Sequence, residues 1–188
     1  MRAESNTPQG DIIISPIGNL DDRLINLLAR KVHQFFGYRT DILPLMENVD
    51  FAFEASRRQY HSTPILEKLS DLAPPDAAKI LAITRVDLFI PVLTHVYGEA
   101  QLGGTSCIIS TLRLDEGLGL GFWNAFEQRV VKEAIHELGH TFNLRHCKDR
   151  TCGMHYCRTI EDVDRKSGQF CRYCRILLVD EMKRIMKK

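Results

Sequence analysis

The chain has 188 residues, of which 44% are hydrophobic and 26% are charged, and its formal net charge is +1. These proportions are near the average for globular proteins, so they exclude a disordered chain or a fibre, and the near-neutral charge excludes a general attraction to nucleic acid. The length predicts one full domain with a small appended module.

The first predicted element is a buried strand, DIIISPIG, which follows a polar N-terminal segment. Its apolar run is far shorter than a signal sequence or a membrane span, so we expect a cytoplasmic protein. A helix is predicted next, capped by Asp21 or Asp22 and ended by Gly37. The segment TDILPLM then predicts a second strand.

The middle of the chain predicts a helix followed by three more strands. Residues 51–72 have a helical pattern that is interrupted near Thr63 and Pro64, where Ser62 or Thr63 would cap a new helical turn. The strands are KILAITRVDLF, a short HVYGEAQ and the β-branched TSCIISTLRL, in which Cys107 is expected in the core. This alternation predicts a mixed, mostly parallel sheet.

A glycine-rich segment, DEGLGLGFWN, precedes the next helix. Its GLGLG lacks the spacing of a phosphate-binding loop and no lysine follows it closely, so we interpret it as a mobile connection. The helix is predicted from about Asn124 to Phe142, with Asn124 at the N-cap and Glu127 at the third helical position.

The end of this helix carries the motif HELGH. Residues four apart lie one turn apart, so His136 and His140 are placed together at the edge of the apolar side of the helix. Glu137 projects beside His140, where it can be partly desolvated and still face a cleft. Two such imidazoles can bind one ion, and the intervening glutamate can reach the water on that ion.

A third histidine, His146, follows six residues after His140. It can reach the same ion only if the helix stops and the chain reverses within those residues. Asn143 lies within those residues, and asparagine tolerates the positive φ of a turn better than any residue except glycine. The spacing therefore predicts a zinc site with three histidine ligands.

The cysteines predict a second site. Cys171 and Cys174 form a CxxC pair, and Cys147 and Cys152 form another pair about twenty residues earlier, a spacing typical of structural zinc with four thiolate ligands. A disulfide framework is disfavoured in a cytoplasmic chain. A redox CxxC is the rival interpretation, although such motifs follow a strand rather than precede a helix. Cys157 could also replace Cys152 as a ligand.

The motif HELGHTFNLRHC, followed by CGM and then CRYC, resembles the archaemetzincins, and the resemblance covers roughly the second half of the chain. It implies an α/β (α+β), metzincin-like zincin fold with a mostly parallel twisted sheet, a backing helix and an active-site helix. It also implies an N-terminal subdomain over residues 1–143. A C-terminal subdomain over residues 144–188 would hold the third histidine, the four-cysteine zinc module and a terminal helix.

The same resemblance assigns roles to individual residues. Glu137 would be the general base and then the proton shuttle, and Met154 would form the Met-turn below the catalytic site. Two zinc ions are implied: a catalytic one bound by His136, His140 and His146, and a structural one bound by Cys147, Cys152, Cys171 and Cys174. The chain departs from the family pattern in having Asn143 for glycine, and His155 and Cys157 as rival ligands.

The expected function is zinc-dependent peptide hydrolysis, with an extended substrate bound along HVYGEAQ if that is the antiparallel edge strand of the sheet. The expected partner is a peptide or protein substrate, with no membrane or nucleic acid, and the chain is expected to be a monomer. One alternative is a three-histidine endoribonuclease, but the motif of those enzymes, HGxxHxxGxxH, has no glutamate at the position of Glu137. Another is a non-catalytic zinc-stabilised binding module, which the basic C-terminal run would permit (Lys183, Arg184, Lys187 and Lys188).

Overall fold

The computed structural model describes residues 10–119 and 121–186. In chain order the strands are β1 Asp11–Pro16, β2 Thr40–Ile42, β3 Phe53–Glu54, β4 Gln59–His61, β5 Ala77–Thr84, β6 Leu88–Phe89, β7 Gly98–Ala100 and β8 Ser106–Ser110. The helices are α1 Asp22–Phe36, α2 Ser62–Asp71, α3 Trp123–Thr141, α4 Ile160–Arg165 and α5 Arg172–Ile185. The predictions that concern residues 1–9, Leu120, Lys187 and Lys188 lie outside the described residues.

The main sheet has the strand order β2-β1-β5-β8-β7. The first four strands are parallel, with Ile13 of β1 opposite Ile80 of β5, whereas β7 runs antiparallel to β8 at the edge. The predicted mixed, mostly parallel sheet is therefore confirmed, and HVYGEAQ does provide an antiparallel edge strand. That edge leaves one side of β7 free to pair with another extended chain.

The two faces of the sheet bury separate groups of side chains, because successive residues of a strand point in opposite directions. Ile12 and Ile14 face α1 and α3, and Cys107 of β8 lies in the same core, as predicted. Ile13 and Ile80 face the other way, toward α2. Helices thus cover both faces, which is why the central strands are almost continuously apolar.

The predicted ends of α1 are both found in the structure. The carboxylate of Asp21 accepts a hydrogen bond of 2.8 Å from the backbone N–H of Arg23, and so caps the first turn. Gly37 has φ of 76°, and its N–H donates to the carbonyl oxygen of His33. The helix stops there because glycine adopts this left-handed conformation without strain.

Two local predictions were wrong. Residues 51–61 are not helical: they form a 3-10 turn and the β3–β4 hairpin, which is stabilised by the Phe53 and Tyr60 rings, 5.1 Å apart across the strands. The segment KILAITRVDLF divides into β5 and β6, and β6 joins this hairpin in a second, three-stranded sheet. A hairpin of so few residues has too short a pattern to show a period of two.

The predicted side-chain caps of two helices were also wrong. The N-cap of α2 is His61, which makes no side-chain capping bond, and the hydroxyl groups of Ser62 and Thr63 donate instead to Glu99 of β7. Helix α3 starts at Trp123 with Phe122 at the N-cap, so Asn124 and Glu127 are not at the predicted positions. In both cases the helix start depends on contacts that local capping residues do not encode.

Candidate active site and metal centres

Helix α3 carries three of the predicted site residues on buried turns. His136 and Glu137 are 4% and 6% exposed, and His140 follows one turn later at the partly buried end of the helix. The apolar side of α3 packs on β5 and β8 through residues such as Val130 and Ala134. The helix therefore holds these polar side chains between the sheet and a cleft.

The chain reverses directly after α3. The N–H of Asn143 donates to the carbonyl oxygen of His140 at 2.8 Å, and the N–H of Leu144 donates to that of Gly139 at 3.1 Å. These two bonds define a Schellman motif, in which the residue after the helix is left-handed. Asn143 has φ of 64°, so the prediction of a positive φ at this position is confirmed.

The turn brings His146 back to the other two histidines. Its ring centroid lies 5.3 Å from that of His136 and 4.8 Å from that of His140. One nitrogen from each ring lies within 4.8 Å of the corresponding nitrogens of the other two. The structure therefore places the three predicted histidines in one group that could hold a metal ion.

Two backbone carbonyl groups fix the orientation of the imidazoles. Nδ1 of His136 lies 2.8 Å from the carbonyl oxygen of Gly153, and Nδ1 of His140 lies 2.7 Å from that of Leu144. A carbonyl oxygen only accepts hydrogen bonds, so each Nδ1 carries the hydrogen and each Nε2 presents a lone pair. The two Nε2 atoms face each other at 3.1 Å, an arrangement that is unfavourable unless a cation lies against both.

The protonation of the histidines also suits a metal. Burial lowers the pKa of His136 well below its usual range and lowers that of His140, and it lowers the pKa of His146 to about 4. The rings are therefore neutral near pH 7, which is the form that binds metal ions. Three neutral imidazoles form the ligand set of a catalytic zinc site with one position left open.

Glu137 lies between this group and the edge strand. A Cβ atom at Gly98 of β7 would lie 2.7 Å from Cγ of Glu137, so the glutamate stem packs directly on the backbone of the strand. Burial raises the pKa of the Glu137 carboxyl well above its usual range, and nearby Glu133 raises it further. The glutamate and the histidines line one cleft of about 800 Å³ with residues of β7.

Sequence reasoning missed a buried ion pair next to Glu137. Nζ of Lys166 lies 2.9 Å from Oε1 of Glu133, and the two side chains are 0% and 3% exposed. Glu133 is one turn before Glu137 on α3, while Lys166 follows α4. Nothing in the local sequence separates Lys166 from a solvated lysine, because its partner is 33 residues away.

Met154, the residue expected to form the Met-turn, packs against α3 at Gly139. It is fully buried, and a Cβ atom at Gly139 would lie 3.1 Å from its Cε and closer still to its sulfur. Its carbonyl oxygen accepts a hydrogen bond of 2.8 Å from the N–H of Cys147. Gly139 of the HELGH motif is thus the residue that lets Met154 approach α3, a role that the motif alone did not reveal.

The four predicted cysteines also come together, with one sulfur from each within 4.8 Å of the others. The backbone N–H of Cys171 points to the sulfur of Cys152 at 3.2 Å. A hydrogen bond from the backbone N–H of Cys174 lowers the pKa of the Cys171 thiol, which favours the thiolate. All six cysteines of the chain are free, so no disulfide competes with a metal at this group.

The two rival ligands lie outside both groups. Nδ1 of His155 is 3.0 Å from the carbonyl oxygen of Cys147, to which it donates. Cys157 lines the cleft, and burial raises the pKa of its thiol to about 11. His155 therefore helps to shape the loop around Cys147, and Cys152 rather than Cys157 completes the group of four sulfurs.

Comparison with known proteins gives consistent matches. The model of peptidase family M54 matches residues 31–180. Archaemetzincin from Methanocaldococcus jannaschii is 37% identical over 165 residues, which cover 87% of this chain and 89% of the relative. Archaemetzincin from Archaeoglobus fulgidus is 35% identical over 163 residues, covering 87% of this chain and 95% of the relative.

Solved structures show the same similarity. The crystal structure of archaemetzincin from Methanopyrus kandleri matches with a TM-score of 0.84 and 28% identity, covering 97% of this chain and 99% of that one. The crystal structure of archaemetzincin from Archaeoglobus fulgidus, complexed with malonate, matches with a TM-score of 0.78 and 34% identity. It covers 89% of this chain and 99% of that one. The similarity thus extends over the whole fold, including the half of the chain that has no recognisable motif.

Proposed function

This chain belongs to peptidase family M54, the archaemetzincins, and is a zinc metallopeptidase; from that premise we propose that Glu137 is its general base and that His136, His140 and His146 hold its catalytic zinc. The observation that carries the proposal is the pair of Nε2 atoms of His136 and His140, which face each other at 3.1 Å. Neutral nitrogen donors in this arrangement fit a zinc ion.

The chemistry follows from the placement of Glu137. A zinc ion held by the three imidazoles supplies a Lewis acid for the substrate carbonyl, lowers the pKa of water, and favours the ionised form of the nearby glutamate. The Glu137 carboxylate accepts a proton from the attacking water and then donates it to the nitrogen of the leaving amine. Contact with the backbone at Gly98 keeps the carboxylate pointing into the cleft during both transfers.

The free side of β7 is the proposed binding surface for the substrate backbone. Its strand lies in the wall of the cleft, and the partner on its other side, β8, is already paired. An extended peptide could add to the sheet here through main-chain hydrogen bonds. Such binding recognises the backbone, so it imposes little sequence preference by itself.

The four cysteines are proposed to hold a second, structural zinc ion, which gives two ions per chain. Their sulfurs fit the four-thiolate ligand set of structural zinc sites. Residues 144–188 would then form a C-terminal subdomain organised by this ion, with Met154 as the floor of the catalytic site, and residues 1–143 the N-terminal subdomain. The ion would contribute directly to folding of the C-terminal part.

The proposed setting is the cytoplasm, with a peptide or protein as substrate and the chain acting as a monomer. The free cysteines support a reducing compartment. Among the described residues, no helix combines the length and apolar character needed to cross a membrane. Family membership favours peptide hydrolysis over the endoribonuclease and the non-catalytic module considered above.

The test compares the zinc-loaded wild type with Glu137→Gln on a library of peptides. We expect cleavage by the wild type and a loss of at least about a hundredfold in the variant, since general base catalysis contributes on the order of 10² to 10⁴ in rate. Zinc content should be the same in both proteins. Equal cleavage by the two, or no cleavage of any peptide by the wild type, contradicts the proposal.

Metal analysis of the same proteins tests the second ion. We expect two zinc ions per wild-type chain and one in His146→Ala, with the fold retained. Cys171→Ser should instead lower the stability of the C-terminal part, because that ion is part of its core. A single ion in the wild type, or equal losses of stability in the two variants, would contradict the division into two sites.

A further inference from the structure

Two arginine side chains line the cleft that contains the three histidines. Arg145 directly precedes His146, and Arg158 follows two residues after Tyr156. Both side chains are exposed to solvent within the cleft lining rather than packed in the core. A substrate bound next to the histidines would therefore meet two guanidinium groups.

Tyr156 links one of these groups to the histidines. Its ring centroid lies 4.9 Å from that of His146, and the guanidinium carbon of Arg158 lies 5.8 Å from the Tyr156 centroid. The guanidinium of Arg158 is thus at most about 11 Å from the His146 ring. An extended peptide advances about 3.3 Å per residue, so the guanidinium is within roughly three residues of any bond that is cleaved at the histidines.

The acidic groups of the cleft are already engaged. Glu133 pairs with Lys166, and Glu99 accepts hydrogen bonds from the hydroxyl groups of Ser62 and Thr63. The remaining carboxylate, Glu137, is buried against Gly98. None of them is available to neutralise an arginine at the opening.

The two arginines themselves have no acidic partner in the part of the chain that the structure describes. The nearby carboxylate of Asp162 accepts the backbone N–H of Arg158 and pairs with the guanidinium of Arg165 at 3.1 Å. By contrast, Arg129, which holds α3 to the end of α4, is paired with Asp164 at 2.7 Å. The described cleft therefore offers positive charge without a matching negative charge.

We propose that Arg145 and Arg158 select peptides that carry a carboxylate within about three residues of the cleaved bond, an inference that rests on the proposed peptidase function. A guanidinium group binds a carboxylate through two parallel hydrogen bonds, which gives both affinity and orientation. The carboxylate comes from an acidic side chain or from the C-terminus of a short peptide. Backbone pairing along β7 would hold the peptide, and the arginines would add the chemical preference.

The experiment uses the zinc-loaded full chain and matched peptide pairs. One set carries Asp or Asn at each position from three residues before to three after a cleaved bond, and the other has a free or an amidated C-terminus. We expect kcat/KM to be about tenfold to a hundredfold higher for the carboxylate member of at least one pair, as a charge-assisted hydrogen bond would give. A preference in the first set assigns a side chain, and a preference in the second assigns the terminus.

The variants Arg145→Gln and Arg158→Gln, singly and together, locate the preference. The ratio of kcat/KM for the carboxylate peptide to kcat/KM for its neutral partner is measured within each variant, so changes in zinc content cancel. We expect this ratio to fall close to one in the double variant. Arg30→Gln is the matched control, because Arg30 is exposed on α1 and outside the cleft, and it should keep the wild-type ratio. Equal rates for both members of every pair, or a double variant with the wild-type ratio, overturns the inference.

Binding separates this inference from the proposed function. The Glu137→Gln variant, loaded with zinc, is titrated with the same labelled peptides and followed by fluorescence anisotropy. Tighter binding of carboxylate peptides supports the role of the arginines even if the wild type cleaves nothing, in which case only the peptidase proposal fails. Equal binding of both members of every pair overturns the role of the arginines even if the wild type is an active peptidase.

Discussion

Replacing Gly139 by alanine tests the contact between the active-site helix and Met154. The new Cβ atom would lie 2.9 Å from Cζ of Phe170 and 3.1 Å from Cε of Met154, distances that require these side chains to move. Both are buried, with exposures of 4% and 0%, so neither can swing into solvent. Overpacking of this kind costs about 1–3 kcal/mol.

The higher helix propensity of alanine reduces the net loss of stability in Gly139→Ala. Alanine is favoured over glycine within a helix by about 1 kcal/mol, which offsets part of the overpacking. We therefore expect the free energy of unfolding of Gly139→Ala to fall by about 1 kcal/mol, and by no more than about 2. The assay is urea denaturation at a fixed zinc concentration, because metal binding shifts the apparent stability. Trp123, the single tryptophan of the chain, lies at the start of α3 and reports the transition.

Two further variants make the result specific. Gly168→Ala is the control, since a Cβ atom there would meet only Cγ of Lys132 at 3.9 Å, and its stability should be that of the wild type. In the Met154→Ala background, Gly139→Ala should be less destabilising than in the wild type, because only Phe170 then lies in the way of the new Cβ atom. A Gly139→Ala protein as stable as the wild type or more stable would refute the claim that Met154 packs against this glycine.

Two other predictions concern the turn after α3 and the position of Glu137. Asn143→Ala should lower the free energy of unfolding by about 1–2 kcal/mol, whereas Asn143→Gly should leave it unchanged or raise it slightly, since only glycine and asparagine readily adopt the left-handed conformation. Equal stabilities of the two variants in urea denaturation would be inconsistent with the φ of 64° at this position. Gly98→Ala should reduce kcat/KM at least about tenfold with zinc content retained, because its Cβ would lie 2.7 Å from Cγ of Glu137 and 2.7 Å from the carbonyl oxygen of Ile108, so that the glutamate and the edge strand must shift apart. A loss of even about 1.4 kcal/mol is tenfold in rate. Turnover at the wild-type level would show that the glutamate does not depend on this contact.

Most of the candidate site could be predicted from short spacings. HELGH places two histidines one turn apart on any helix, and Asn143 allows the reversal that returns His146. The two cysteine pairs are similarly close in sequence, so local geometry alone brings each pair together. Such groupings depend on backbone rules that hold whatever the rest of the fold does.

Most of the features that could not be predicted involve partners far apart in the chain. Lys166 reads as a surface lysine until the fold places it on Glu133, and Glu99 gives no sign that it will bind the first residues of α2. The helical pattern of residues 51–61 was likewise overridden by pairing between short strands. Local propensity differs by less than 1 kcal/mol per residue between such alternatives, so tertiary contacts decide them.

The backbone of Gly153 connects the group of four cysteines with the group of three histidines. It follows Cys152 in the cysteine group, its carbonyl oxygen accepts the hydrogen bond that orients His136, and its N–H donates to the carbonyl oxygen of Gln169 at 2.7 Å. If the cysteines hold an ion as proposed, its removal would loosen the backbone at Gly153 and with it the hydrogen bond that fixes the direction of the His136 ring. By thermodynamic reciprocity, an ion at either proposed site would then raise the affinity of the other site for its ion, so a chelator that removes the histidine-bound ion would also weaken metal binding by the cysteines.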